Sequence, residues 1–331
     1  MPLTRRQLLL ALPAAFSARI FAAQPASGPL LRRDIALDAA EVLDLWPGRA
    51  PGAPTVLPTE TVVERSKDPS LKDRHIAGVN RPRLAVFRAA NPNGASLLLM
   101  PGGGYRWVVV DREGYEMARW LSARGVTVFV LFYRLPGDGW ADNANVALAD
   151  AQRAMRLVRH HAASFAIDPA RIAAMGFSAG GHLCADLMTR FDAKVYAPVD
   201  AADALTARPA LAAPLYPVVS MSLPHAHRGS RERLLGPAPT EAQERAHSPH
   251  LNVSAANPPC FLLHAEDDTS VPAANSMLLR DALLKHQLPV ETHLFPTGGH
   301  GFGLSKTVGK TVAIWPELFL NWATSHGWAG R

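Results

Sequence analysis

One pentapeptide constrains this chain more than any other stretch. Residues 171–184 read RIAAMGFSAGGHLC. An apolar, strand-like run enters Gly176-Phe177-Ser178-Ala179-Gly180, and a helical pattern starts at once. In this strand–turn–helix setting, Gly-x-Ser-x-Gly makes so tight a turn that the residues two before and two after the serine must lack side chains. The serine is driven into a strained backbone conformation, with its hydroxyl pointing out of the fold. The N–H of Ala179 faces the same space, and the helix that follows adds positive potential there.

The rest of the chain supplies a sheet for such an elbow. Short apolar runs at Leu84–Phe87, Ser96–Met100, Thr127–Tyr133, Arg171–Phe177, Ala212–Val219, Cys260–Ala265 and Val290–Phe295 read as strands. Several are continuously apolar, as expected of strands covered on both faces. Between them, helical periodicity runs over Glu113–Ala123, with Gly125 as the residue past its end, and over Asn145–Phe165. It returns from Gly180 to about Arg190 and over Ala273–His286 and Val308–Ser325, the last interrupted near Pro316. Alternation of this kind predicts an α/β fold: a mainly parallel, doubly wound sheet with helices on both faces. Residues 29–82 read as a loop-rich segment, and 83–331 as the catalytic domain. The polar, proline-rich stretch at about 222–259 reads as an insertion partly covering the site.

A serine hydroxyl needs a base to become a nucleophile, and the base needs an orienting acid. Downstream, CFLLHAEDDTSVP places Glu266, Asp267 and Asp268 after a buried strand. Then HLFPTGGHGFG places His300 in a glycine-rich loop after the next strand. Groups at the carboxyl ends of parallel strands share one edge of the sheet, where α/β proteins place their sites. His300 is therefore the expected base. His264 and His293 lie within strands and read as structural, and His182 lies on the helix after the elbow.

Upstream, LLLMPGGGYRW runs an apolar strand into Gly102-Gly103-Gly104. A dinucleotide or phosphate loop would open directly into a helix or continue to Gly-Lys-Ser/Thr. Neither follows here. The glycines read instead as half of an oxyanion hole, with Gly103 and Gly104 donating alongside Ala179. Tyr105, Arg106 and Trp107 beside that hole, and Tyr133 and Trp140 after the next strand, are candidates for binding the substrate.

Net charge is +6, but the 34 Lys and Arg residues are scattered and form no long basic run. Nucleic-acid binding is not expected. The histidines have no metal-ligand spacing, so no metal or other cofactor is expected. Two cysteines, Cys184 and Cys260, fall in apolar segments and read as core residues, with one bridge between them possible. Residues 1–28 pair Arg5 and Arg6 with a short apolar stretch and then small residues, the layout of a twin-arginine-like export signal. A periplasmic or secreted location is expected, or a cytoplasmic one if this stretch is an ordinary helix. No segment reaches the length of a membrane span, so stable insertion is not expected. The sequence sets no oligomeric state.

These features resemble the α/β-hydrolase superfamily over roughly residues 83–325. Its Asp-x-x-Val-Pro pattern falls on Asp268-Thr269-Ser270-Val271-Pro272, which favours Asp268 over Asp267 as the acid, and its Gly-His falls on His300. More narrowly, Pro101–Tyr105, Tyr133-Arg134-Leu135, Gly176–His182 and the early WPGRAPG segment resemble the acetyl-xylan-esterase-like branch of esterases. The resemblance implies a serine esterase with a Ser178–His300–Asp268 triad. Its substrate would be a small-molecule or oligosaccharide ester, a sugar acetate above all. A peptidase or amidase on the same scaffold is the alternative, and a non-catalytic binding protein a more distant one. Pro101 stands where lipase-type relatives carry a histidine thought to brace the glycine loop. Bracing must come from elsewhere, the rigid proline being one candidate.

Overall fold

The computed structural model describes residue 29, residues 31–34 and residues 37–330. The stretch read as an export signal lies outside the described residues. Strands β1 (Leu31–Asp34), β2 (Ala39–Asp44), β3 (Thr61–Glu64), β4 (Arg74–Ala77), β5 (Arg83–Phe87) and β6 (Ser96–Met100) come first. They are followed by β7 (Val108–Val109), β8 (Thr127–Phe132), β9 (Ile172–Phe177), β10 (Ala212–Leu215), β11 (Cys260–Ala265) and β12 (Val290–Phe295). The helices are α1 (Glu116–Ser122), α2 (Asn143–His160), α3 (Ala179–Thr189), α4 (Arg228–Leu235), α5 (Glu241–Ala246), α6 (Ala274–Lys285) and α7 (Trp315–Ser325).

Among the described residues, the main sheet has nine strands in the order β1-β2-β5-β8-β6-β9-β10-β11-β12. From β8 to β12 every neighbouring pair is parallel, while β1, β2 and β5 join antiparallel. Every residue of β6, β8, β9, β10 and β11 is buried. That is the result of covering both faces with helices, and it explains their unbroken apolar runs. Cys184 and Cys260 are buried and unbridged within this core.

The structure corrects the sequence reading in four places. The segment read as loop-rich contributes β1 to β4. Two of these extend the main sheet, and two form a small second sheet with β7, in the order β3-β4-β7. Their exposed or half-exposed faces carry no long apolar run, so periodicity gave little signal. The strand expected to reach Val219 stops at Leu215, where Tyr216 takes a positive φ of 34° and Pro217 removes a donor. The helix read as Asn145–Phe165 ends at His160, and a separate 3-10 turn covers Ala162–Phe165. Pro316 opens α7 and does not interrupt it, the first turn being where proline's missing N–H matters least. The insertion holds α4 and α5, so its weak helical pieces are real helices.

Candidate active site

Strand register gathers the candidate residues. Met100 pairs with Gly176, Phe177 with Leu215, Leu215 with Leu263, and Ala265 with Phe295. The segments that follow these ends carry the glycine loop, Ser178, Tyr216, Asp268 and His300 along one edge. Ser178 sits at φ 54° and ψ −116°, a conformation that L-residues rarely adopt. Its neighbours permit nothing else. A Cβ on Gly176 would lie 2.0 Å from the Gly180 carbonyl oxygen, and one on Gly180 would lie 2.1 Å from that of Met100. The two elbow glycines are thus demanded by the backbone passing over them.

The side chains meet in hydrogen-bonding order. Ser178 Oγ lies 2.8 Å from His300 Nε2, and His300 Nδ1 lies 2.6 Å from Asp268 Oδ2. The other Asp268 oxygen accepts the N–H groups of Ser270 and Val271 at 2.8 and 2.9 Å. Burial pushes the Asp268 carboxyl up. Hydrogen bonds with His264 and His300, and the charge of His300, overcome this and hold it well below the usual carboxylate range. Asp267 does a different job: its Oδ1 accepts Gly298 and Gly299 N–H at 2.8 and 2.7 Å, fixing the loop that carries His300. His264, read from sequence as structural, packs its Nε2 3.3 Å from Asp268 Oδ2 and its Nδ1 2.8 Å from Ser276 Oγ.

Each glycine of the loop has its own reason. A Cβ on Gly102 would fall 2.6 Å from Glu113 Oε2 and 3.0 Å from Ser178 Cβ, and one on Gly103 would fall 2.1 Å from the Trp107 carbonyl oxygen. Gly104 has φ +64° and more room, with His227 and Ser230 about a van der Waals contact away at 3.9 and 4.0 Å. Side chains brace the loop. Tyr133 donates its hydroxyl to the Pro101 carbonyl at 2.8 Å, and Gly102 N–H donates to Glu113 Oε2 at 3.0 Å. The N–H of Gly102 is therefore committed, while Gly103 and Gly104 border the cavity.

That cavity, of about 520 Å³, opens over Ser178 and His300. Arg106 and Trp107 line it, and Arg106 sits 4.8 Å from the Trp107 ring centroid. The other three rim candidates are placed differently. Tyr105 is buried with its hydroxyl 2.7 Å from His182 Nδ1, and Tyr133 is buried under Pro101 as described. Trp140 is 4% exposed and borders a neighbouring cavity shared with Glu232 and Arg233. These aromatic rings lie inside because their polar atoms or faces serve the scaffold, so Tyr105, Tyr133 and Trp140 are not part of the wall over Ser178. Sequence reasoning missed several residues that are: Arg65, Arg112, Glu113, His227 and Arg233. His227 and Arg233 come from the insertion, which does reach the site. Glu113 stands just after the glycine loop in a carboxylate-rich helix start, a signal the sequence did offer.

The BD-FAE family profile matches residues 95–283, more than half of the chain. The chain belongs to the BD-FAE family. It is 30% identical over 236 residues to an acetylxylan esterase of Xylanibacter ruminicola, covering 67% of this chain and 44% of that protein. It is 34% identical over 227 residues to endo-1,4-beta-xylanase B of Butyrivibrio fibrisolvens, covering 69% of this chain and 34% of that one. The chain thus spans less than half the length of these two curated relatives. Among solved structures, an acetyl ester-xyloside bifunctional hydrolase from Caldicellulosiruptor lactoaceticus is 35% identical, with a TM-score of 0.69 over 84% of this chain and all of that one. The BD-FAE chain therefore has the α/β-hydrolase fold shared by these esterases, in line with the resemblance read from its motifs.

Proposed function

We propose that this BD-FAE protein is a serine carboxylic ester hydrolase that removes acetyl groups from sugars through an acyl-enzyme. The observation that carries this reading is the continuous chain Ser178 Oγ, His300 Nε2, His300 Nδ1, Asp268 Oδ2, with contacts of 2.8 and 2.6 Å. His300 takes the Ser178 proton as Oγ forms a bond to the ester carbonyl carbon, and the carbonyl electron pair moves onto oxygen. Ala179, Gly103 and Gly104 supply N–H groups for that oxyanion, each worth about 3 kcal/mol at the transition state. The C–O bond to the sugar then breaks, and His300 returns its proton to the leaving alcohol. Water, deprotonated by the same base, then attacks the acyl carbon, the C–Oγ bond breaks, acetate leaves, and His300 returns the proton to Ser178. Asp268 remains ionised throughout and stabilises the imidazolium.

The sugar-acetate preference is supported by the names of the acetylxylan esterase and acetyl ester-xyloside hydrolase relatives. Arg106 and Trp107 on the wall suit a polar, ring-shaped leaving group. The test is a panel of acetylated xylosides, p-nitrophenyl esters of rising acyl length and aminoacyl amides, with wild type and Ser178→Ala. Hydrolysis of acetyl esters that Ser178→Ala abolishes supports the reading. Faster cleavage of amides than of esters, or activity surviving in Ser178→Ala, refutes it.

A further inference from the structure

Glu113 is an unusual residue to find behind a hydrolytic serine. It is 4% exposed, yet its carboxylate borders the cavity over Ser178. It stands in a π-helical turn, Asp111–Tyr115, a wide turn often found at functional positions. Asp111 of the same turn is tied to Arg74, which holds the turn in place. Both Glu113 oxygens accept hydrogen bonds: Oε2 from Gly102 N–H at 3.0 Å and Oε1 from the Tyr216 hydroxyl at 3.1 Å. Oε1 also lies against Gly301, the residue after His300, where a Cβ would sit 3.5 Å away. Burying a carboxylate is costly unless its charge is used or compensated. Burial pushes this carboxyl up, against the opposing pull of the charge of His300, the Tyr216 hydroxyl, the Gly102 N–H and Arg112.

We propose that Glu113 is a positioning residue for the esterase reaction: it fixes Gly102, so that Gly103 and Gly104 present their N–H groups, and it sets a negative charge against the base. The inference rests on the reading of Ser178, His300 and Asp268 given above. As Ser178 loses its proton, His300 becomes an imidazolium, and a nearby carboxylate favours that state. Asp268 and Ser178 bond to His300 at 2.6 and 2.8 Å, the Tyr216 ring centroid is 5.4 Å away, and Glu113 and His227 line the same cavity. Arg112, beside Glu113 in sequence, is itself bonded to Asp73 and the Gly301 carbonyl. Asp268 and Glu113 thus bring acidic side chains to the site of the imidazolium from two different elements.

The test is the pH profile of kcat/KM for a small acetyl ester in wild type, Glu113→Gln and Glu113→Asp, each checked for a wild-type melting profile. Glu113→Gln keeps an acceptor for Gly102 but removes the charge. It is expected to lower kcat at least tenfold with KM within twofold, and to move the acid limb of the profile to lower pH by half a unit or more. Glu113→Asp keeps the charge but shortens the reach, so it lowers kcat and leaves the limb in place. A part with only a structural role would lower activity without moving the limb. Wild-type kcat in Glu113→Gln, or a limb that stays put, overturns the proposal. If Glu113→Gln does not fold, Glu113→Ala, which also removes the charge, carries the limb measurement, and a limb that stays put in it overturns the proposal. Ser178→Ala runs alongside: activity surviving there would sink the esterase reading itself, whereas an inactive Ser178→Ala with an unaffected Glu113→Gln sinks this inference alone.

Discussion

The floor of the cavity and its rim are built on different terms. On the floor, Ser178 and Asp268 are buried, His300 is held between them, and Asp268 and Glu113 have partners on both oxygens. The strand ends beneath them are fixed by register, so displacing one group disturbs its neighbours. On the rim, Arg106, Glu232 and Arg233 are exposed, and two of these three come from the insertion. Side chains of that kind can be exchanged without rebuilding the sheet. The contrast implies that chemistry belongs to the floor and substrate choice to the rim.

The largest expected effect that probes this contrast is at Asp268. Asp268→Asn removes the carboxylate that orients His300 and should lower kcat by about four orders of magnitude. Asp267→Asn touches only the Gly298 and Gly299 N–H groups and should lower it by about tenfold. Steady-state kinetics on one acetyl ester separates the two, and equal losses would mean that the acid has been misassigned. Next comes acid stability. His247, in the insertion, accepts a hydrogen bond from Arg190 at 3.2 Å, and burial lowers its pKa from 6.5 to about 4. Between those values the unfolded chain binds a proton that the folded chain does not. The contribution of His247 to stability is therefore fully present above pH 6.5 and is lost as pH drops towards 4, by on the order of 3 kcal/mol. Thermal melts across that window should show Tm falling, and His247→Gln should flatten the decline.

Smaller effects sharpen the comparison further. Tyr133→Phe deletes the hydroxyl that braces Pro101 and should destabilise the protein by about 1 kcal/mol, with a loss in kcat and little change in KM. Arg106→Ala should do the reverse, raising KM for acetylated xylosides several-fold with kcat nearly retained, since an exposed side chain contributes about 1 kcal/mol or less. A rim variant that chiefly lowered kcat would erase the distinction between the two regions.

How much of this could be read from the sequence followed the same division. The elbow was legible because backbone sterics admit only glycine at positions 176 and 180. The Asp268 segment and the core strands were legible because their buried strands are unbroken apolar runs. His300 was legible from its glycine-rich loop, since the strand before it is half-exposed. Strands β1 to β4 were not, because their half-exposed faces leave no periodic apolar signature. Tyr105, Tyr133 and Trp140 shared the edge of the sheet expected of substrate contacts, but sequence could not tell which way each ring turned. Tyr105 turned to His182 and Tyr133 to Pro101. Glu113 carried a local signal, a carboxylate just after the glycine loop, but its partners Gly102 and Tyr216 come from other segments and are not written there.

The most direct measurement is covalent labelling of the nucleophile. Incubated with a fluorophosphonate, wild-type protein should gain the mass of one adduct on Ser178, and pretreatment should abolish acetyl-ester hydrolysis in proportion to labelling. Ser178→Ala should take up none. Labelling of Ser178→Ala to the wild-type extent, or hydrolysis that continues in fully labelled protein, would contradict a serine acyl-enzyme built on this elbow.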